Sequence, residues 1–264
     1  KTEQSDLNLA IYGGSGDSPR PVIAPADVIE CYTLTRRAFE VAEAFQTPVI
    51  VLLDFFLSNR FEDLPENIFT QFKANVFPRV TASPSESPFQ RFAVTATGVS
   101  PAAFPGTPAL QHAITGLEHS ERGFPNYDGR NHRIMTEKRL RKLDTLRAAW
   151  PAPEEVGPTD SLDIGIVAWG STIGAVREAL LDPRIARVAA GGYFPRLMHP
   201  LQEEPLRAFS ARCRTLVSVE LNATGQFTQI VERTVHRPVA RWCDVPAEPL
   251  SVEQLVSFLE GELA

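Results

Sequence analysis

The alternation of residues 159–264 constrains the fold more than any other feature of this chain. "DIGIVAWG" reads as a buried strand, "STIGAVREALL" as a helix and "IARVAAGGYF" as the next strand. A helix over "PLQEEPLRAFSARC" leads to a strand over "RTLVSVEL". "TGQFTQIVERTV" is then a helix, "PVARW" a short strand, and "SVEQLVSFLEGEL" a closing helix that Ser251 can cap. Strands that alternate with helices imply a parallel sheet covered on both faces. Right-handed crossovers bring the strand-to-helix loops to one edge of that sheet.

Residues 21–60 look like a second α/β unit. "PVIAP" is a short strand, and Asp27 starts a helix that runs to about Phe45. Cys31, Leu34, Ala38, Val41 and Ala42 recur at helical spacing and form one apolar stripe. Pro48 ends the helix, and "VIVLLD" follows, apolar on both faces as a buried parallel strand requires. Asp54 stands at the carboxyl end of that run, where open α/β sheets gather ligands.

Residues 61–158 differ in kind, holding 11 of the 22 prolines, which marks a long connector. Within it "RFAVTATG" alternates like a strand, "GLEHSERGFPNYDGRNH" is a polar loop, and "NHRIMTEKRLRKLDTLRAAW" is a helix capped by Asn131. Ile134, Leu143, Leu146 and Trp150 are placed to dock that helix. Glu137 and Arg141 make an i,i+4 pair worth about 0.2–0.5 kcal/mol. A connector this long normally lies against a second domain or a partner subunit.

Charge and cysteine usage narrow the function class. A formal charge of −6 argues against a general nucleic-acid binder. No window approaches the ~18 consecutive apolar residues of a membrane span. Cys31, Cys213 and Cys243 are far apart and make no C-x-x-C pair, so neither an iron–sulfur cluster nor any other metal site of this chain alone is expected. Free, buried thiols in a reducing cytoplasm are the expectation.

Three stretches invite chemistry. Gly13–Asp17 is glycine-rich but matches neither phosphate-loop spacing and precedes no helix, so a tight or mobile turn is expected. "WGSTIG" ends a strand at Gly170 and opens a helix at Ser171 and Thr172, where free N–H groups can hold an anion or Ser171 can cap. "VELNATGQ" repeats that geometry with Glu220, Asn222, Gly225 and Gln226 and is expected at a docking edge for a partner subunit. Glu118 and His119 are adjacent on the long loop and have acid–base chemistry, but an exposed loop pair is not expected to use it. No nucleophile–base set is legible, and no catalytic residue is assigned.

Eight segments in order, "KTEQSDL", "YGGSGDSPRPVIAP", "TPVIVLLDFFLS", "GVSPAAFPGT", "TGLEHSERG", "MTEKRLRKL", "WGSTIG" and "VELNATGQ", extend over essentially the whole chain. Together they resemble the alpha subunit of 2-oxoacid:ferredoxin oxidoreductases, nearest the 2-oxoglutarate type. The resemblance implies an α/β chain in three parts. Residues 1–60 are the back part of a pyrimidine-side thiamine diphosphate-binding domain, 61–158 an extended connector with a helix, and 159–264 a transketolase-C-terminal-like domain. It implies an enzyme that decarboxylates a 2-oxoacid, passes the acyl group to coenzyme A and sends electrons to ferredoxin. Thiamine diphosphate with Mg is then shared with a beta subunit, which alone carries the iron–sulfur cluster.

By the same resemblance, Lys1, Thr2, Glu3, Gln4 and Asp6 lie near the cofactor or substrate. From their place at the carboxyl edge of the C-terminal sheet, Ser171, Thr172, Glu220, Asn222, Gly225 and Gln226 are expected at a subunit interface. Family members carry an aminopyrimidine-contacting Glu and a substrate-binding Arg upstream of "KTEQSDL", so a chain bearing that N-terminal part is expected as a further partner. Ser15 stands where family members often have His. A non-catalytic assembly module is the competing reading; a free-standing nucleotide-binding domain built on "WGSTIG" is a third.

Overall fold

The structure is a computed structural model that describes residues 3–64, 66–71, 77–83, 88–245 and 248–263. Among these described residues, eight strands divide between two sheets: β1 (Val22–Ile23), β2 (Ile50–Val51), β3 (Glu154–Val156), β4 (Leu162–Ala168), β5 (Ala190–Phe194), β6 (Leu197–His199), β7 (Cys213–Glu220) and β8 (Ala240–Cys243). The smaller sheet has the order β2-β1-β6 and the larger β3-β5-β4-β7-β8.

The larger sheet bears out the α/β expectation. β5, β4, β7 and β8 are mutually parallel, and β3 adds an antiparallel edge strand. β4 alternates its faces. Ile164, Ile166 and Ala168 pack with the Thr172–Leu181 and Val252–Leu263 helices, while Val167 and the following Trp169 pack with the Glu203–Arg212 and Gln226–Val235 helices. Both faces are therefore covered, which is why the strands read as continuous apolar runs.

β1 and β2 are parallel and joined by the Val28–Phe45 helix. Asp27 caps that helix as expected, accepting the Glu30 N–H at 2.7 Å. The other partner of β1 is β6, which runs antiparallel to it and follows β5 in sequence. A strand from the C-terminal stretch thus completes the N-terminal sheet, so backbone hydrogen bonds tie the two stretches of the chain together. β3 lies within the proline-rich segment, so the larger sheet reaches back to Glu154.

Three local expectations need correction. The Gly129–Ala149 helix is capped by Asp128, whose carboxylate accepts from the Arg130 and Asn131 N–H groups at 3.0 Å each, and not by Asn131. "RFAVTATG" forms turns and no strand. Its carbonyls are taken by side chains instead: Arg141 donates to Thr95 O, Thr145 to Thr97 O and Ser100 to Ala93 O. Of the docking residues, Leu143, Leu146 and Trp150 are buried, whereas Met135 takes the buried place expected for Ile134. Trp150 stacks on Phe77, whose ring meets Phe45 edge-on, joining the long helix to the N-terminal unit.

Candidate functional site

The carboxyl ends of β4 and β7 bring together most of the residues that the sequence singles out. Glu220, the last residue of β7, has no exposed surface. One of its oxygens accepts the Thr228 N–H at 2.8 Å and the Thr228 hydroxyl at 2.7 Å. The other accepts the Phe227 N–H at 2.8 Å and the Asn222 amide at 2.6 Å. A carboxylate is acceptor-only and sits here at a helix N-terminus, whose free N–H groups and dipole favour negative charge. The Asn222 carbonyl oxygen in turn accepts from the Thr224, Gly225 and Gln226 N–H groups. Gly225 has φ +65°, a backbone turn that other residues rarely adopt.

Gln4 enters the same knot from the far end of the chain. Its backbone N–H donates to Leu221 O at 2.9 Å, and its backbone oxygen accepts from Asn222. Its side-chain oxygen accepts the Leu221 N–H at 2.9 Å, while its side-chain NH2 donates to Trp169 O at 2.8 Å. Gln226 holds the next residues by accepting from Asn8 N and donating to Ser5 O.

Asp54, only noted at a strand end in the sequence, is the third anchor. It is buried, caps the Phe55–Ser58 turn of helix through Leu57 N, accepts the Ser171 N–H at 3.2 Å and meets the Gln4 NH2 at 3.4 Å. The Ser171 side chain makes no capping bond, so the capping alternative gives way to its backbone N–H reaching Asp54. Thr172 is buried and donates to Trp169 O.

These positions alter what the individual residues can offer. Gln4, expected beside a cofactor, is 2% exposed and spends its amide inside the chain. Glu220 and Asn222, expected at a docking edge, are 0% and 1% exposed, so neither side chain is presented to a partner. Thr172 and Gly225 are likewise buried, while Ser171 and Gln226 are half-buried. Glu3 is half-buried and Asp6 exposed; Lys1 and Thr2 lie outside the described residues. Beside Asp54, a cleft of about 580 Å³ opens between Phe55, Phe56, Arg60, Ser171, Glu178 and Leu250.

The remaining candidates resolve simply. Arg139 grips Glu118 with two hydrogen bonds and His132 adds a third, which holds its carboxyl down to about 2 and leaves it ionised. Such a group is a structural anion and a poor proton donor. The His119 ring lies 3.9 Å from that of Phe92. The three cysteines are free, and burial pushes the Cys31 and Cys213 thiols up to about 11, so neither is a ready nucleophile. Among the described residues no group of three or more His, Cys, Asp or Glu gathers to hold a metal ion, and no helix is long and apolar enough to cross a membrane.

The Gln4–Leu221 and Asp54–Ser171 bonds were not legible in the sequence, because each joins residues more than a hundred positions apart. The available signals were the polar residues at successive strand ends and the glycine that follows "VAW".

Comparison with known proteins adds three observations. Residues 1–138 match the family described as pyruvate flavodoxin/ferredoxin oxidoreductase, thiamine diP-bdg. The chain is 31% identical over 271 aligned residues to the 2-oxoglutarate oxidoreductase subunit KorA of Mycobacterium tuberculosis, covering all of this chain and 40% of that protein. It superposes with a TM-score of 0.91 and 34% identity on 2-oxoglutarate:ferredoxin oxidoreductase from Magnetococcus marinus, solved with 2-oxoglutarate, coenzyme A and succinyl-CoA bound, again over its full length and 46% of that chain. A split-gene transketolase shares the fold alone, at 14% identity and a TM-score of 0.50. The chain spans about two fifths of the length of three of the curated relatives it matches, the Mycobacterium tuberculosis subunit among them.

Proposed function

The chain belongs to the pyruvate flavodoxin/ferredoxin oxidoreductase family, and on that premise we propose that it forms part of a thiamine diphosphate-dependent complex that oxidatively decarboxylates a 2-oxoacid, foremost 2-oxoglutarate, to an acyl-CoA with reduction of ferredoxin. One observation carries this reading: the whole chain superposes at a TM-score of 0.91 on an enzyme solved with 2-oxoglutarate, coenzyme A and succinyl-CoA.

The residues at the shared edge fit one end of the cofactor. Glu3 and Asp6 flank the buried Gln4 and are themselves accessible. Their carboxylates are acceptors that suit the amino group of a pyrimidine and repel a diphosphate. In this proposal Glu3 and Asp6 wall the pyrimidine end, and a beta subunit supplies the diphosphate and Mg²⁺ site and the iron–sulfur cluster. When bound, thiamine diphosphate supplies the electron sink for decarboxylation. This chain's part is to orient that end of the cofactor and to exclude water from it. The half-buried Ser171 and Gln226 stand at the rim of the edge, where the beta subunit docks.

A non-catalytic assembly role is the second reading. It is favoured by the internal use of Gln4, Glu220 and Asn222, which leaves few free polar groups at the edge. Glu3→Gln and Asp6→Asn in the complete complex separate the two. If the two carboxylates wall the cofactor, turnover falls at least about tenfold, equivalent to about 1.4 kcal/mol at the transition state, with assembly by size-exclusion unchanged. Full turnover in both variants removes them from the site and favours assembly.

A further inference from the structure

We propose that the carboxyl edge of the larger sheet is a binding site for a primary carboxamide, and that Gln4 of the same chain is its resident ligand. The topology marks the place. From β4 the chain crosses to β5 through the Thr172–Leu181 helix on one face. From β7 it crosses to β8 through the Gln226–Val235 helix on the other. β4 and β7 are hydrogen-bonded neighbours, so the chain turns away in opposite directions from the gap between them. In open α/β sheets this reversal opens a crevice at the carboxyl ends of the strands, and ligands bind there.

Here the crevice is filled from within. Leu221, one residue past β7, presents an N–H, and Trp169, one residue past β4, presents a carbonyl. The Gln4 carboxamide spans them, accepting from Leu221 at 2.9 Å and donating to Trp169 at 2.8 Å. It acts as an extra peptide rung across the end of two parallel strands. The pattern of one donor and one acceptor selects an amide. A carboxylate in its place would set a second oxygen against Trp169 O and, 3.4 Å from the same nitrogen, against Asp54.

The cradle is shaped as well as polar. Gly170 has φ +62°, and a Cβ built on it would lie 2.6 Å from the Gln4 nitrogen. The absent side chain of Gly170 is the space that the carboxamide occupies.

One consequence rests on the function proposed above. Gln4 is a positioning residue: its bound side chain fixes where Glu3 and Asp6 stand beside the cofactor, and it does not touch the cofactor itself. The larger sheet thus contributes to the active site by gripping the segment that walls it.

Gln4→Ala removes a group equivalent to one molecule of acetamide, which makes the proposal testable by rescue. In the complete complex, hydrogen exchange at the Leu221 amide is measured together with turnover per assembled site, with and without sub-molar acetamide or acetate. The expected result is a loss of Leu221 protection of at least about tenfold in Gln4→Ala, with a fall in turnover. Acetamide restores both in a saturable way, and acetate restores neither. Gln4→Glu should match or exceed the defect of Gln4→Ala and not respond to acetamide.

Wild-type protection in Gln4→Ala, or equal effects of acetamide and acetate, overturns the carboxamide site. Restored protection without any change in turnover keeps the site and overturns the positioning role. A wild-type complex that exchanges as expected but turns over no 2-oxoacid defeats the proposed function while leaving the site standing. Should Gln4→Ala fail to assemble, Gln4→Asn, which keeps the amide but draws it back by one methylene, is read by the same exchange. There an unchanged Leu221 amide overturns the proposal.

Discussion

Glu220 and Thr228 are joined twice, through the Thr228 N–H at 2.8 Å and its hydroxyl at 2.7 Å, on a carboxylate with no exposed surface. All four hydrogen bonds to this carboxylate come from donors. Glu220→Gln keeps the shape but turns an NH2 group toward N–H donors whichever way the amide is placed. Leaving buried donors unmet costs about 1–3 kcal/mol, so the urea midpoint of the chain should fall clearly. An unchanged midpoint would mean that the pocket tolerates a donor.

Gly170→Ala is expected to destabilise by two routes. The left-handed backbone costs a non-glycine residue about 1–2 kcal/mol, and the new methyl displaces the Gln4 amide. The second route disappears when Gln4 is already Ala. A double-mutant cycle on unfolding midpoints should therefore show coupling of at least about 0.5 kcal/mol, the lower bound usual for residues in contact. Additive effects would show that Gly170 and Gln4 do not meet.

Arg196 ties the Val28–Phe45 helix to the edge strand β3 electrostatically. It donates to Glu30 at 2.6 Å, to Glu154 at 2.8 Å and to Phe194 O at 2.9 Å, and Arg177 shares Glu154. Arg196→Ala leaves two partly buried carboxylates short of a partner and should cost about 1–3 kcal/mol. Arg196→Lys should recover only part, because an ammonium cannot fork between Glu30 and Glu154. Full recovery in the lysine variant, by the same denaturation, would show that charge alone matters there.

Lys138 and Lys142 share a crowded patch on the Gly129–Ala149 helix. Burial lowers both to about 8 from 10.5, and neighbouring cations add to it: Lys142, Arg91 and Arg139 around Lys138, and Arg91 and Arg139 around Lys142. Below pH 8 the folded chain carries ammonium groups that the unfolded chain holds more comfortably. Between about pH 8 and 10.5 the unfolded chain binds more protons, so stability should rise with pH. Lys138→Met should raise stability at neutral pH and flatten that rise. A midpoint that falls from pH 8 to pH 9.5 in the wild type would contradict the assignment.

The sequence disclosed what depends on neighbours in the chain and withheld what depends on distant contacts. The Asp27 cap and the helix to Phe45 follow from local spacing, as do the strand-end positions of Gly170 and Glu220, whereas Asp54 lies three residues past β2, which ends at Val51 and is shorter than "VIVLLD" suggests. "RFAVTATG" misled because alternation needs a strand partner, and side chains of the neighbouring helix took its carbonyls first. β3 was hidden because "EEV" carries two acids, which an edge strand tolerates and a buried one does not. The orientation of Gln4 and Glu220 was hidden too: a polar residue at a strand end reads alike whether it faces a partner, a ligand or its own chain.

The most direct measurement of the proposed function is electron delivery by the complete complex. Given 2-oxoglutarate, coenzyme A and oxidised ferredoxin, it should reduce ferredoxin and form one CO2 and one succinyl-CoA for each pair of electrons, with turnover dependent on added thiamine diphosphate after the cofactor is stripped. Ferredoxin left oxidised by a fully assembled, cofactor-loaded complex with 2-oxoglutarate and with other 2-oxoacids alike would contradict it.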